Sequence, residues 1–74
     1  MRNKWGDQMI IRINGKEETI DGPTNVADLM RGKGIVPERV VVEHNSRIVP
    51  RDEWSGIPLR ENDTIEIISF VGGG

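Results

Sequence analysis

The last three residues of the chain are the strongest candidates for chemistry. Gly72-Gly73-Gly74 has no side chains to pack, and glycine loses more backbone freedom on ordering than any other residue. Extended, three residues reach about 10 Å, enough to carry a terminal carboxylate into a narrow channel of another protein. A frayed end without a function is an equally simple interpretation. The tail alone leaves both interpretations open.

A carboxylate at Gly74 would need another protein in order to react. Carboxylates are poor electrophiles until one oxygen becomes a leaving group, and the chain has no P-loop or other glycine-rich phosphate cradle for ATP. Once adenylated by a separate enzyme, the carbonyl could accept sulfur to give a thiocarboxylate, or an amine to give a conjugate. The chain has no cysteine, so any transferred sulfur must come from elsewhere. This pattern predicts a carrier without catalytic residues of its own.

The remaining reactive side chains form no catalytic or metal-binding pattern. His44 is the single histidine and has no acid–base motif beside it, so we interpret it as a strand or turn residue. Neighbouring carboxylates such as Glu17-Glu18 point to opposite faces of a strand, which favours solvation. The turn Glu61-Asn62-Asp63 lacks the ligand spacing of a calcium loop and is interpreted as a solvated turn. We expect no metal and no cofactor, and Trp54 is predicted to anchor the core or a smaller apolar cluster beside it.

Length and charge predict one small domain without a nucleic-acid or membrane partner. The 74 residues are too few for a second hydrophobic core or for a deep substrate cavity. The 10 basic and 12 acidic residues are scattered, so no basic stripe is available for a phosphate backbone or an acidic membrane. No apolar stretch is long enough for a signal peptide or a membrane span. A cytoplasmic location is therefore expected.

Apolar patterns predict a mixed sheet. The predicted strands are Met9 to Ile13, Lys16 to Ile20, Arg39 to His44, Arg47 to Val49 and Thr64 to Phe70. The first two flank Asn14-Gly15, a strong hairpin signal, and Asn45-Ser46 provides a second turn. Pro50 should stop the fourth strand, and a helical turn over Arg51 to Trp54 should follow. We expect the first strand to lie beside the last.

One short helix is predicted between the second and third strands. Asn25 and Asp28 have the spacing of a capping pair, so the helix should begin at Val26, and Gly32 and Gly34 should end it. The apolar stripe expected to be buried against the sheet consists of Val26, Leu29 and Met30. Strands in this order with one main helix on one face predict an α+β domain of β-grasp (ubiquitin-like) fold.

The last strand has an apolar pair on each face. Ile65 and Ile67 share one face, whereas Ile68 and Phe70 lie on the other face with Glu66. If the first pair is in the core, Ile68 and Phe70 are exposed beside the tail and form a partner-docking surface. The alternative is that another part of the chain covers them.

Three segments of the chain together form a pattern that is specific for one protein family, although none of them is specific alone. Residues Val42 to Trp54 read VEHNSRIVPRDEW, Asn62 to Ile67 read NDTIEI, and Phe70 to Gly74 read FVGGG. Together they resemble the ThiS family of thiamine-biosynthesis sulfur carriers, with a resemblance that runs from Met9 to Gly74. It divides the chain into an extension expected to be disordered (1–8), a β-grasp domain (9–71) and a flexible glycine tail (72–74).

The resemblance implies a chemical role for the tail. An E1-like enzyme would adenylate the Gly74 carboxylate, a sulfur-transfer protein would help convert it to a thiocarboxylate, and thiazole synthase would take the sulfur. Ser46 and Asn62 stand at turn positions that are often glycine in the family. Asparagine tolerates positive φ, whereas Ser46 leaves the type of its turn open.

Other functions share this fold and this kind of tail. The nearest is the small subunit of molybdopterin synthase, which uses the same thiocarboxylate chemistry with a different large subunit. A ubiquitin-like modifier would form isopeptide bonds instead, and a plain interaction module would use neither chemistry. The Val49-Pro50-Arg51 segment followed by Trp54 favours the thiamine carrier.

Overall fold

A computed structural model of the protein describes residues 8–70. Its elements are β1 (Gln8–Ile13), β2 (Lys16–Asp21), α1 (Val26–Gly32), a 3-10 turn (Pro37–Arg39), β3 (Val40–His44), β4 (Arg47–Val49), a second 3-10 segment (Arg51–Gly56) and β5 (Thr64–Ser69). The predicted strands and helix are confirmed, with ends that differ by single residues, as element boundaries commonly do. β1 includes Gln8, one residue before the expected start of the domain, and Gln8 stands opposite Asp21.

The strands form one mixed sheet in the order β2-β1-β5-β3-β4. β1 and β5 run parallel, and the other neighbouring strands are antiparallel. The predicted contact between the first and last strands is therefore confirmed. Parallel neighbours need a crossover connection, and α1 lies in it, which produces the β-grasp arrangement. β5, the strand that precedes the tail, has β1 on one side and β3 on the other, and so it occupies the centre of the sheet.

The helix α1 begins where the capping pair predicts. Asn25 is extended, and its side-chain oxygen accepts the backbone N–H of Asp28 at 2.8 Å. The N–H of Lys33, just past the helix, donates to the carbonyls of Leu29 and Met30. Only seven residues are helical, and a helix this short depends on packing against the sheet for its stability.

The core lies between α1 and one face of the sheet. Its buried side chains are Ile11, Ile13, Val26, Met30, Val42, Val49, Trp54, Leu59 and Ile65. Trp54 is the predicted anchor, and its indole N–H donates to the carbonyl of Val49 at 3.0 Å. This bond satisfies the one polar atom of a buried tryptophan.

Leu29 corrects the prediction for the helix. Val26 and Met30 are fully buried, but Leu29 is only half-buried at the edge of the core. Successive residues are about 100° apart around a helix, so Leu29 lies on the flank when Val26 and Met30 face the sheet. The buried part of the stripe is therefore Val26 and Met30.

Candidate functional site

β5 positions the segment that leads to the tail. It is held by β1 on one side and β3 on the other, and the backbone N–H of Phe70 still donates to the carbonyl of Arg39 at 3.2 Å. The predicted tail site, Gly72 to Gly74, lies outside the described residues. Gly74 is the fifth residue after Ser69, and five fully extended residues would span about 17 Å. The tail site remains a prediction based on sequence, attached to the centre of the sheet.

The two predicted docking residues are exposed. Ile68 is 45% exposed and Phe70 is 59% exposed, whereas Ile65 on the opposite face is completely buried. Ile67 is half-buried and packs against the core. The register predicted for β5 is confirmed, and no described part of the chain covers Ile68 and Phe70. That they bind a partner stays a prediction.

These residues belong to a larger surface, which we call the open sheet face. It is the side of β3, β4 and β5 opposite α1, and it consists of Val41, Glu43, Ile48, Glu66, Ile68 and Phe70. Val41 stands opposite Ile68, and Glu43 stands between Ile48 and Glu66 on its two neighbouring strands. Ile48 is 66% exposed. Sequence reasoning found only Ile68 and Phe70, because the other members join them through strand pairing.

A polar cluster ties the β3–β4 turn to the start of β5. Asp63 is 8% exposed, and its carboxylate is 2.8 Å from Nε2 of His44. The Asn45 amide donates to Asp63 at 3.1 Å, and the Arg60 backbone N–H donates at 2.9 Å. The side-chain oxygen of Asn45 in turn accepts a hydrogen bond from the backbone N–H of Thr64 at 2.9 Å. His44 is the last residue of β3, so its prediction as a strand or turn residue is confirmed.

The cluster also determines the ionisation of Asp63. Burial alone would raise the pKa of Asp63, but hydrogen bonds from His44, Asn45 and the backbone of Arg60 outweigh it, and the pKa lies below the ordinary value. The prediction of a solvated turn was therefore wrong for Asp63. The two side-chain partners, His44 and Asn45, are 19 and 18 positions away in sequence, and no local pattern indicates them.

The turn at Ser46 has an unusual backbone conformation. Asn45 and Ser46 both have positive φ, at 51° and 73°, and Asn62 has φ of 70°. Two successive residues with positive φ are typical of the tight hairpin turn whose twist matches the flanking strands. This answers the question left open by the sequence, where Ser46 stands at a position that is often glycine. Serine is strained in this region, whereas asparagine tolerates it.

Within residues 8–70, no group of three or more histidine, cysteine or acidic side chains is arranged to hold a metal ion. In the same part of the chain, no helix combines the length and apolar character needed to cross a membrane.

Known proteins of one family match this chain over both the β-grasp sheet and the glycine tail. The model of the ThiS family matches residues 11–74. The sulfur carrier protein ThiS of Bacillus subtilis is 32% identical over 66 residues, which cover 88% of this chain and all of that protein. The crystal structure of the thiamine biosynthesis protein ThiS from Geobacter metallireducens has a TM-score of 0.77, with 32% identity over 89% of this chain and all of that one.

A larger protein also contains a similar segment. A thiazole synthase of Magnetococcus marinus is 38% identical over 66 residues, which are 89% of this chain but only 20% of that protein. The chain thus spans about a fifth of that synthase's length. Both the match along the sequence and the match in three dimensions include the β-grasp sheet described above. The chain belongs to the ThiS family.

Proposed function

We propose that this chain is a sulfur carrier for thiamine biosynthesis and that its reacting group is the carboxylate of Gly74. The observation that carries the proposal is the family match, which extends from the sheet through Gly74. The central position of β5 supports it, since a strand held on both sides is a firm base for a reaching tail. Glycine at each tail position would allow close approach in a narrow channel, because no Cβ is present.

The proposed reaction proceeds in two steps on a separate E1-like enzyme. A carboxylate oxygen of Gly74 attacks the α-phosphorus of ATP, pyrophosphate leaves, and an acyl-adenylate forms. Sulfur at the oxidation level of sulfide, released by a sulfur-transfer protein, then attacks the carbonyl carbon; the bond from that carbon to the phosphate oxygen breaks, AMP leaves, and the thiocarboxylate remains. Because this chain has no cysteine, it contributes neither the sulfur nor a catalytic thiol. Its part is to present the carbonyl at the correct distance, as a carrier rather than an enzyme.

The proposed acceptor of the sulfur is thiazole synthase. The support is the synthase of Magnetococcus marinus, in which a segment similar to this chain forms part of the same protein. Joining two activities in one chain raises their effective concentration, which is useful when one hands a group to the other. This similarity favours the thiamine pathway over the molybdopterin pathway.

The open sheet face is the proposed docking surface for these partners, with Ile68 and Phe70 at its centre. Both side chains are exposed; Ile68 lies on β5, and Phe70 directly follows its last residue, Ser69. Aromatic and aliphatic side chains that are exposed together commonly mark a protein–protein interface. Docking here would place the partner within reach of Gly74.

The test is an intact-mass measurement on the purified chain after incubation with the activating enzyme, ATP and a sulfur source. The proposal predicts the mass gain of exchanging one oxygen for sulfur, and loss of that gain when thiazole synthase and its other substrates are added. Adducts on lysine side chains would instead identify a modifier. An unchanged mass with an active enzyme preparation would contradict the proposal.

A further inference from the structure

The open sheet face contains two carboxylates that face each other without a cation between them. Glu43 on β3 stands directly opposite Glu66 on β5. Their neighbours Val42 and Ile65 are completely buried, so both glutamates point away from the core. The ion pairs of the described residues are Arg12 with Glu17, Arg31 with Asp28, Lys33 with Glu18, Arg51 with Glu38 and His44 with Asp63. Within residues 8–70, neither Glu43 nor Glu66 is in an ion pair.

Folding gains nothing from this arrangement. Like charges directly opposite each other on antiparallel strands destabilise the sheet, since their Cβ atoms are only about 5 Å apart. Towards the tail the surroundings are apolar: Val41 and Ile68 form the next rung, and Ile48 stands beside Glu43 on β4. On the other side of Glu66, Arg12 on β1 stands opposite Thr64, and its guanidinium is paired with Glu17. Apolar neighbours that become buried with a partner would leave the two carboxylates with little water. A partner without a complementary charge would therefore dock poorly here.

We propose that the open sheet face binds a partner surface that places one arginine guanidinium between Glu43 and Glu66, with apolar side chains over Ile68 and Phe70. A guanidinium has five N–H donors in a planar fork, enough to serve two carboxylates at once. The inference rests on the proposed function, because the partner is the activating enzyme. It adds the chemical character of the contact, which the apolar residues alone do not define.

The test uses Glu43→Gln, Glu66→Gln and the double variant, with Glu53→Gln as the control. Glu53 is exposed on the second 3-10 segment, so Glu53→Gln removes the same charge at a site outside the open sheet face. Melting temperature is measured on each free chain, and affinity for the activating enzyme is measured by calorimetry at low and high salt. The melting temperature should rise in both single variants, because the repulsion disappears. Affinity should fall about tenfold, the usual scale for loss of a charged hydrogen bond.

Two further results are expected from one shared cation. The double variant should lose less affinity than the two single losses combined, and its binding should depend less on salt than that of the native chain. Glu53→Gln should change neither melting temperature nor affinity. Opposite effects on stability and binding distinguish a recognition contact from a structural one.

Three results would overturn the inference. Unchanged affinity in both glutamine variants, with sulfur still gained at Gly74, would show that the proposed contact does not form, and the proposed function would stand. A lower melting temperature in either variant would show that the carboxylates stabilise the sheet. Failure of the native chain to bind the enzyme or to gain sulfur would instead contradict the proposed function, and this inference as well.

Discussion

The two faces of β5 carry the same kinds of side chain but contact different surroundings. On one face, Ile65 is completely buried against the core beneath α1. On the other face, Ile68 and, just past the end of the strand, Phe70 are exposed on the open sheet face. One strand therefore contributes apolar area to folding on one side and leaves it available to a partner on the other. The stability and the recognition properties of this chain should accordingly be separable by mutation.

The largest expected effect comes from the matched substitutions Ile65→Ala and Ile68→Ala. They remove the same atoms from the same strand on opposite faces. Ile65→Ala should lower the free energy of unfolding by about 2–5 kcal/mol, because a cavity remains in the core. Ile68→Ala should cost less than about 1 kcal/mol, the usual span of strand preferences at exposed positions. Urea unfolding measures both, and equal losses would contradict the assignment of the two faces.

A second effect comes from the polar cluster, through Asp63→Ala. This substitution leaves the donors of His44, Asn45 and the Arg60 backbone without their common acceptor. The free energy of unfolding at pH 7 should fall by about 1–3 kcal/mol, the cost of buried hydrogen-bonding groups without partners. The exposed residue Asp52 gives the control Asp52→Ala, which should have little effect.

The same cluster predicts a pH dependence of definite sign. The pKa of Asp63 is lower in the folded chain than its ordinary value of 3.8. Its contribution to stability is therefore present above that value, and is lost as the pH falls through the folded pKa. Native protein should lose stability between neutral pH and pH values below 3.8, and Asp63→Asn should lose less. Parallel curves for the two proteins would contradict the assigned direction.

A smaller effect, of opposite sign, is expected from Ser46→Gly. Ser46 has φ of 73°, a conformation that glycine adopts without strain. The substitution should raise the free energy of unfolding by about 0.5–1 kcal/mol, the strain relieved less the added freedom of the unfolded chain. Ser55 lies in the second 3-10 segment and has no positive φ, so Ser55→Gly should not stabilise the protein. If both variants melt alike, backbone strain at Ser46 is not significant.

The smallest effect on folding is expected from Phe70→Ala, together with a clear loss of binding. Phe70 is 59% exposed, so its truncation removes little buried area. In complex with the activating enzyme the ring should be buried, and the affinity should fall about tenfold or more, as at aromatic positions of other interfaces. Calorimetric titration measures the affinity, and thermal unfolding measures the stability. A large loss of stability with native affinity would assign Phe70 to the core.

Local patterns predicted most of the fold. The alternation from Met9 to Ile13, the Asn14-Gly15 turn and the capping pair of Asn25 and Asp28 each act over a few residues, and each appears in the structure as expected. The register of β5 was also predictable, since alternation assigns Ile65 and Ile68 to different faces.

The contacts that were not predicted depend on distant residues. His44 and Asp63 are 19 positions apart, and their bond exists only because the sheet brings the β3–β4 turn next to the start of β5. The opposition of Glu43 and Glu66 likewise depends on the pairing register between two strands. Leu29 was placed too deep because an apolar stripe shows which side of a helix is buried, but not which residue lies at its centre.

The central claim concerns Gly74, and the most direct measurement is sulfur transfer to a chain from which this residue has been deleted. Deletion moves the terminal carbonyl by one residue, about 3.3 Å, whereas reacting atoms must meet within about 3–3.5 Å. The deleted glycine has no side chain, so the melting temperature should not change. A matched control is Gly32→Ala, because an added Cβ there meets nothing within 4 Å.

Native protein, the Gly74 deletion and Gly32→Ala are each incubated with the activating enzyme, ATP and a sulfur source, and intact mass is recorded over time. The account predicts the mass gain of one sulfur-for-oxygen exchange in the native chain and in Gly32→Ala. It predicts no gain in the deletion variant, with an unchanged melting temperature. Sulfur gain by the deletion variant at the native rate would show that the Gly74 carboxylate is not the reacting group.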